Sequence, residues 1–430
     1  MSNFTSLPKG THTVAMGTGD INGIMRGKRI PATHWENVCK DGNALSIAML
    51  AMDMTSDVWD TPYVNMENGY PDMLMYPVTQ PVATPWEEGV AFCLGACRDE
   101  DGVAIPIDPR EALIAQLDRA KAMGFEVMTG TELEFYLLDP ETMLPKDTGI
   151  SVYTMSRAAE LEHVLGPIRQ QINEMGIAIE QSNPEYAPGQ VEVNLRYDEA
   201  LKSADQVIMF RSLVKQLAYE HGYLATFMAK PFIDQAGSGF HTHYSLWKDG
   251  KNAFADKGKI NELGLNFLAG QQKHMVEMSF VGSTTPNAYR RRQPYTFSPM
   301  NNTWGYDNRT VGLRIIQGHD SAVRVEKRDA SAEANPYYLL ACDIAAGLDG
   351  IEQGLQPTAP CLTDGYAVED AQDLPTSLAD AVALAKASEL VQRVLGDDRL
   401  TILTQQAERE IDFINNQVTP IEFERYARNL

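Results

Sequence analysis

The chain has 430 residues, of which 44% are hydrophobic and 22% charged, and a formal net charge of −22. That excess of acid argues against nucleic acid as a partner, because cations are needed to displace counterions from phosphates, and against an anionic membrane surface. The composition suits a folded protein of two or three domains rather than a disordered chain. No run of 18 apolar residues is present to cross a membrane, and the first ten residues lack the apolar stretch of a signal peptide. Cys93 and Cys97 are the only close pair among five cysteines, so no zinc site is completed. The expected setting is cytoplasmic, with reduced thiols.

The first hundred residues are rich in Gly, Pro and Met, with apolar runs at 47–52 and 90–94. They predict a small sheet-containing module with long loops, the longest over residues 53–85. Charge at 98–102, followed by Pro106 and Pro109, marks a boundary. Asp108 then suits an N-cap, Pro109 suits N1 and Glu111 suits N3, while Leu113, Ile114, Leu117 and Ala120 recur at helical spacing up to Gly124. Helical periodicity returns at 158–175, 204–221, 263–278, 336–348 and 378–395, with strand-like segments between. The expected class is α+β, with a small domain over 1–107 and a large one over 108–430.

Four of the strand-like segments carry chemistry on alternate positions. Residues i and i+2 of a strand share a face. Glu132 and Glu134 therefore point one way while Leu133, Phe135 and Leu137 point into a core. Glu192 shares a face with Asn194, and Glu185 lies in the loop before them. His241, His243 and Ser245 share a face, as do Arg324, Glu326 and Arg328. One such segment is the ordinary mark of a half-exposed antiparallel strand. Glutamates and a histidine converging on one concave sheet would instead repel unless metal ions neutralised them. A carboxylate-dominated donor set favours Mg²⁺ or Mn²⁺ over Zn²⁺ and suits phosphoryl transfer from a nucleotide.

Residues 290–328 hold eight cations against three acids, a local +5 within a chain of −22. This reversal predicts a site for a small polyanion, since the arginine fork bonds phosphate and carboxylate bidentately. There is no Gly-x-x-x-x-Gly-Lys-Ser/Thr loop, and Gly17 to Gly23 has the wrong spacing for a dinucleotide fingerprint. A nucleotide here would be held by metals, arginines and the sheet.

These motifs, in this order, resemble the glutamine synthetase family and its glutamate–amine ligase members. The matching pieces are Glu132-Leu-Glu134, Glu185 with Gly189-Gln190-Val-Glu192, Gly239-Phe-His241-Thr-His243-Tyr-Ser245, Asn287-Ala-Tyr-Arg-Arg291, Trp304 through Thr310, and Arg324-Val-Glu326-Lys-Arg328 with Asn335-Pro336-Tyr337. Arg26 through Pro31 and Gly69 through Asp72 are similar to the family's N-terminal β-grasp domain. The resemblance implies a catalytic domain built on a curved antiparallel sheet. It implies one metal held by Glu134, Glu185 and Glu192 and another by Glu132, His241 and Glu326, with two to three ions per site. Arg309, Arg314, Arg324 and Arg328 match positions facing ATP or the phosphoryl group in flight, with Arg309 and Arg328 in catalytic roles. Ser245 and His243 match the nucleotide side. Arg291, Gly237 and Glu134 match the glutamate side. Family members are stacked hexameric rings, usually dodecamers, in which the N-terminal domain of one subunit completes its neighbour's site. Asp53 is the expected amine-side carboxylate on that domain, with Asp57 second.

Two departures bear on the amine. True glutamine synthetases carry a flap glutamate that closes over ammonium, and counting from Asn287 to Trp304 places Phe297 at its position. A phenyl ring can neither pair with ammonium nor take its proton, but it can pack on an alkyl group. Ala236 stands where the family usually has asparagine. The resulting expectation is an ATP-dependent ligase joining the γ-carboxylate of glutamate to methylamine through a γ-glutamyl phosphate. Alternatives are a polyamine ligase using Asp57, Asp60 and Glu67 for the distal ammonium, and a glutamine synthetase with an altered flap. A non-catalytic ring and a metal-dependent amide hydrolase are more remote.

Overall fold

The computed structural model describes residues 4–146, 149, 152–428 and 430. Two sheets organise the chain. The first contains β1 (Thr13–Gly19), β2 (Met25–Pro31), β3 (Asn43–Ser46), β4 (Asp72–Pro77), β5 (Val82–Ala83) and β6 (Val90–Arg98), in the order β2-β1-β6-β4-β3 with β5 on β6. Residues 90–97 of β6 are all buried, as the apolar run at 90–94 predicts for a central strand. Helix Trp35–Asp41 lies against β4 and buries Trp35, Val38 and Cys39, giving a β-grasp-like unit. The run from Ile47 forms a 3₁₀ helix, and the expected long loop contains β4 and β5.

The second sheet contains β7 (Glu126–Leu138), β8 (Ile179–Pro184), β9 (Gln190–Glu199), β10 (Leu224–Thr226), β11 (Phe240–Lys248) and β12 (Lys251–Asn252). A small hairpin, β13 (Ala255–Asp256) and β14 (Lys259–Ile260), follows. The sheet resumes with β15 (Trp304–Tyr306), β16 (Leu313–Ile316) and β17 (Arg324–Lys327). The order is β15-β16-β17-β11-β7-β9-β8, with β10 on β7 and β12 on β11. The sheet is mixed rather than antiparallel throughout, because β15 pairs parallel with β16. Asn308 decides this locally: its side chain donates to the carbonyl of Thr363 and accepts from Thr310, turning the chain back so that β16 runs beside β15.

Helices cover one face. Pro336–Gln353 has its first fifteen residues buried and packs on Glu262–His274, Pro109–Ala122 and Ala200–Glu220. Asp108 caps its helix by accepting from the Arg110 amide at 2.9 Å, with Pro109 at N1 and Gly124 left-handed just past the end (φ 85°). Glu111 does not close a capping box; it pairs with Arg98 at 2.7 Å. The periodicity at 158–175 resolves into Met155–Glu160 and Glu162–Glu174. That at 378–395 resolves into Leu378–Ala387 and Glu389–Asn415, the latter kinked at Gly396 (φ 72°). Asn335 caps Pro336–Gln353 and donates to the carbonyls of Asp20 (2.9 Å) and Ile21 (3.1 Å), fastening the two sheets' units together. The five cysteines are free thiols, and no helix among the described residues is long and apolar enough to cross a membrane.

Candidate active site

Sheet register assembles the site. Across β16, β17, β11 and β7, Arg314 stands opposite Glu326, Glu326 opposite His243 and His243 opposite Gly130. Two positions along, His241 stands opposite Glu132 and Glu132 opposite Asn194. Two further along, Glu134 stands opposite Glu192, and Glu192 opposite Asn183 on β8. Alternation puts these side chains on one face, while Leu133, Phe135, Val193, Phe240 and Tyr244 bury on the other.

The carboxylates close up around the histidines. Glu132 lies 3.1 Å from Nδ1 of His241 and 2.9 Å from Nε2 of His243, and Glu326 lies 3.7 Å from His241. Arg324 donates through Nε to Nδ1 of His243 at 3.1 Å, so the ring proton belongs on Nε2, facing Glu132. Candidate ligand atoms of Glu132, Glu192 and His241 all lie within 4.8 Å of one another, as do those of Glu132, His243 and Glu326. These tight groups differ from the expected partition: Glu132 is common to both, and His243 enters one. Glu134 accepts from the Gly239 amide at 2.7 Å, and Glu185 accepts from Asn183 at 3.0 Å. Both still line the shared cavity.

The charges divide the carboxylates into two kinds. Burial and the neighbouring Glu132, Glu134 and Glu185 push Glu192 up to about 9. Burial and Glu134 push Glu185 up to about 7. Burial also works against Glu326, but Arg328 and the two histidines outweigh it and hold the group at about 2. Arg314 binds Glu326 at 3.0 Å and Arg328 binds it at 2.5 Å. Oxygen-rich donors that repel one another, with imidazoles beside them, fit a hard divalent cation.

Five of the eight cations of residues 290–328 line this cavity: Arg291, Arg309, Arg314, Arg324 and Arg328. The others point elsewhere, so the stretch is not one basic surface. Lys327 alternates into the core and pairs with Asp329 (2.7 Å) and Asp343 (3.0 Å). Arg292 is buried over the Tyr289 ring at 4.8 Å, and Arg290 is exposed outside the cavity. Arg291 is buried and donates to the carbonyls of Asp329 and Arg328. Its approach requires glycines: a Cβ on Gly237 would fall 2.6 Å from its Cγ, and one on Gly239 would fall 2.9 Å from its Nη2.

The cavity holding the carboxylates has a volume of about 400 Å³ and adjoins a second of about 440 Å³, with Glu132, Asn194 and Arg324 lining both. His243 and Ser245 open onto the second, beside Gly130 and Tyr197. The Tyr197 ring stacks with Trp247, whose Nε1 donates to Ser245 at 3.0 Å. Phe297 stands at the first cavity with a left-handed backbone (φ 57°), its ring stacked on Tyr186. Tyr153, Tyr186, Tyr197 and Trp247 were not foreseen: isolated aromatics on separate elements leave no spacing signal, although Tyr186 directly follows Glu185. Asp53 does not line either cavity of its own chain. Its carboxylate accepts from Thr55 and Asp57, and Asp57 pairs with Arg409, because residues 53–58 fold against helix Glu389–Asn415.

The sequence profile of the glutamine synthetase catalytic domain matches residues 106–426. The chain belongs to the glutamine synthetase family. Members of this family are carbon–nitrogen ligases that use ATP and divalent metal. The chain is 33% identical to a glutamate–isopropylamine ligase of a Pseudomonas species, covering 96% of this chain and 94% of that one. It is also 33% identical to γ-glutamylethanolamide synthetase GlnA4 of Streptomyces coelicolor, over 96% and 92% of the two chains. The solved structure of GmaS with ADP superposes with a TM-score of 0.89 at 30% identity, covering all of both chains. A glutamine synthase homologue at 22% identity and TM-score 0.83 shares the fold.

Proposed function

We propose that the protein joins the γ-carboxylate of glutamate to a small alkylamine, methylamine foremost, with ATP converted to ADP and phosphate. The observation that carries this reading is Phe297, an apolar ring on the acid-lined cavity at the flap position. Similarity to ligases of isopropylamine and ethanolamine supports it.

A carboxylate is a poor acyl donor, because its leaving group would be oxide. A γ-glutamyl phosphate supplies a good one, and the amine then displaces phosphate. Arg291, with Gly237 and Glu134 beside it, would hold glutamate. Arg309 and Arg328 would stabilise charge on the phosphoryl group in flight, with Arg314 and Arg324 on the nucleotide phosphates. His243 and Ser245 would face the nucleotide. Divalent metal, Mg²⁺ or Mn²⁺ in two to three ions, would be held by Glu132, Glu134, Glu185, Glu192, His241 and Glu326 and would neutralise the phosphates. The attacking amine must lose a proton, so an acid is needed at its entry. Asp53 can serve only from a neighbouring subunit, which fits a dodecamer of two hexameric rings.

The acids offered for a polyamine's distal ammonium are engaged: Asp57 with Arg409, and Asp60 with the Tyr70 hydroxyl. That favours a monoamine. Phosphate release with ATP, glutamate and a panel of ammonium, methylamine, ethylamine, ethanolamine and putrescine tests the reading. The expected highest kcat/KM is with methylamine or ethylamine; a highest value with ammonium would remove the reading.

A further inference from the structure

Phe297 does not stand alone. Tyr186 follows Glu185 in the turn between β8 and β9, and its ring stacks on that of Phe297 with centroids 6.0 Å apart and planes inclined by 30°. The Tyr186 amide donates to the Glu185 carboxylate at 3.3 Å, which ties the ring's position to the acid. Both rings stay half exposed, at 45% for Phe297 and 48% for Tyr186, so neither is a core residue. Both line the same cavity as Glu134, Glu185 and Glu192.

The flap is held by such contacts. Tyr295 and Phe297 are both left-handed, at φ 62° and 57°. Bulky side chains adopt that region only where the surroundings over-determine it. Here the determinants lie outside the flap. Tyr186 receives Phe297. Tyr366 receives Tyr295 at 5.3 Å and donates its hydroxyl to the Ser298 carbonyl at 3.1 Å.

We infer that Tyr186 is a specificity-determining residue: with Phe297 it forms one π-face beside the carboxylates that takes the alkyl group of a short primary alkylammonium. The inference rests on the ligase reading above and names how that site selects its amine. An ammonium head is satisfied by the acids, and its alkyl carbons are attracted to the ring face and leave water there. Bare ammonium has no alkyl group to gain from the rings. A second polar group at the far end of the chain would be desolvated against the rings without a partner.

The test uses the full-length enzyme with metal, ATP and glutamate, and ammonium, methylamine, ethylamine and isopropylamine as probes. Tyr186→Ala is expected to raise KM for the alkylamines about tenfold, the lower end of what one methylene contact contributes to discrimination. KM for glutamate, ATP and ammonium should hold. Tyr186→Phe should keep the parent's alkylamine KM, since the ring and not the hydroxyl is used. Should Tyr186→Ala unfold, Tyr186→Leu keeps bulk without the π-face and should show the same directional shift. An unchanged alkylamine-to-ammonium ratio of kcat/KM in the truncated variant, or Tyr186→Phe behaving like Tyr186→Ala, would overturn the role of Tyr186 while the ligase reading stands. A parent enzyme that releases no phosphate with any alkylamine would overturn the ligase reading itself.

Discussion

At the scale of single residues, position 297 separates two chemistries. A glutamate there would bring a negative charge beside Glu185 and Glu192, and with it a place for ammonium. The phenyl ring brings a contact surface instead. Phe297→Glu is therefore expected to raise kcat/KM for ammonium relative to methylamine by about tenfold or more, given that one lost charge-assisted contact typically exceeds 1.4 kcal/mol. Competition between the two amines in one reaction, read by mass spectrometry of the amide products, measures that ratio directly; an unmoved ratio would sink the flap argument. Lys327 is the opposite case. Its charge counts toward the basic stretch in the sequence, but alternation sends it into the core, where Asp329 and Asp343 take it up.

At the scale of elements, one asparagine joins a helix to the other sheet. Asn335 caps Pro336–Gln353 through the Tyr337 amide at 3.0 Å and holds the carbonyls of Asp20 and Ile21. Its loss removes an N-cap, about 1 kcal/mol, and two buried hydrogen bonds of about 1 kcal/mol each. Asn335→Ala should lower stability by roughly 2–3 kcal/mol by the same reckoning. Denaturant unfolding would show the loss, and limited proteolysis should cut faster within 99–108, where the first sheet leads to the second unit. Equal midpoints for the variant and the parent would contradict this account of the junction.

At the scale of the whole molecule, the acid cluster couples metal, protons and stability. Glu185 and Glu192 have pKa values raised from the ordinary 4.5 to about 7 and about 9. Their contribution to stability is whole below 4.5 and is lost as pH rises through about 7 and then about 9, when like charges appear in one cavity. Chelator-treated protein should therefore lose thermal stability between pH 6 and pH 9. Added Mn²⁺ should restore it, with the largest gain at the alkaline end, because bound metal stabilises the ionised carboxylates. Calorimetry in two buffers of different ionisation enthalpy should show protons released on binding at pH 7. A melting temperature indifferent to Mn²⁺ across that range would mean that these carboxylates do not hold the ion.

The sequence alone determined which side chains could do the chemistry and which way they face. A strand's two-residue period is a local property, so Glu132 with Glu134, His241 with His243, and Arg324 with Glu326 and Arg328 were legible as sharing faces. The Asp108–Pro109 helix start was equally local. Tertiary structure decided who meets whom. Glu132 falls into both tight donor groups because β7 lies between β11 and β9 in the sheet. β15 runs parallel to β16 because the Asn308 turn is anchored at Thr363. Asp53 stays outside its own chain's cavity because residues 53–58 pack on a helix more than 300 residues away in sequence. Tyr186 meets Phe297 only because a turn and a flap 111 residues apart converge over the same acids. Periodicity encodes a face, but partners across such separations are chosen by register and packing, which no short window of sequence contains.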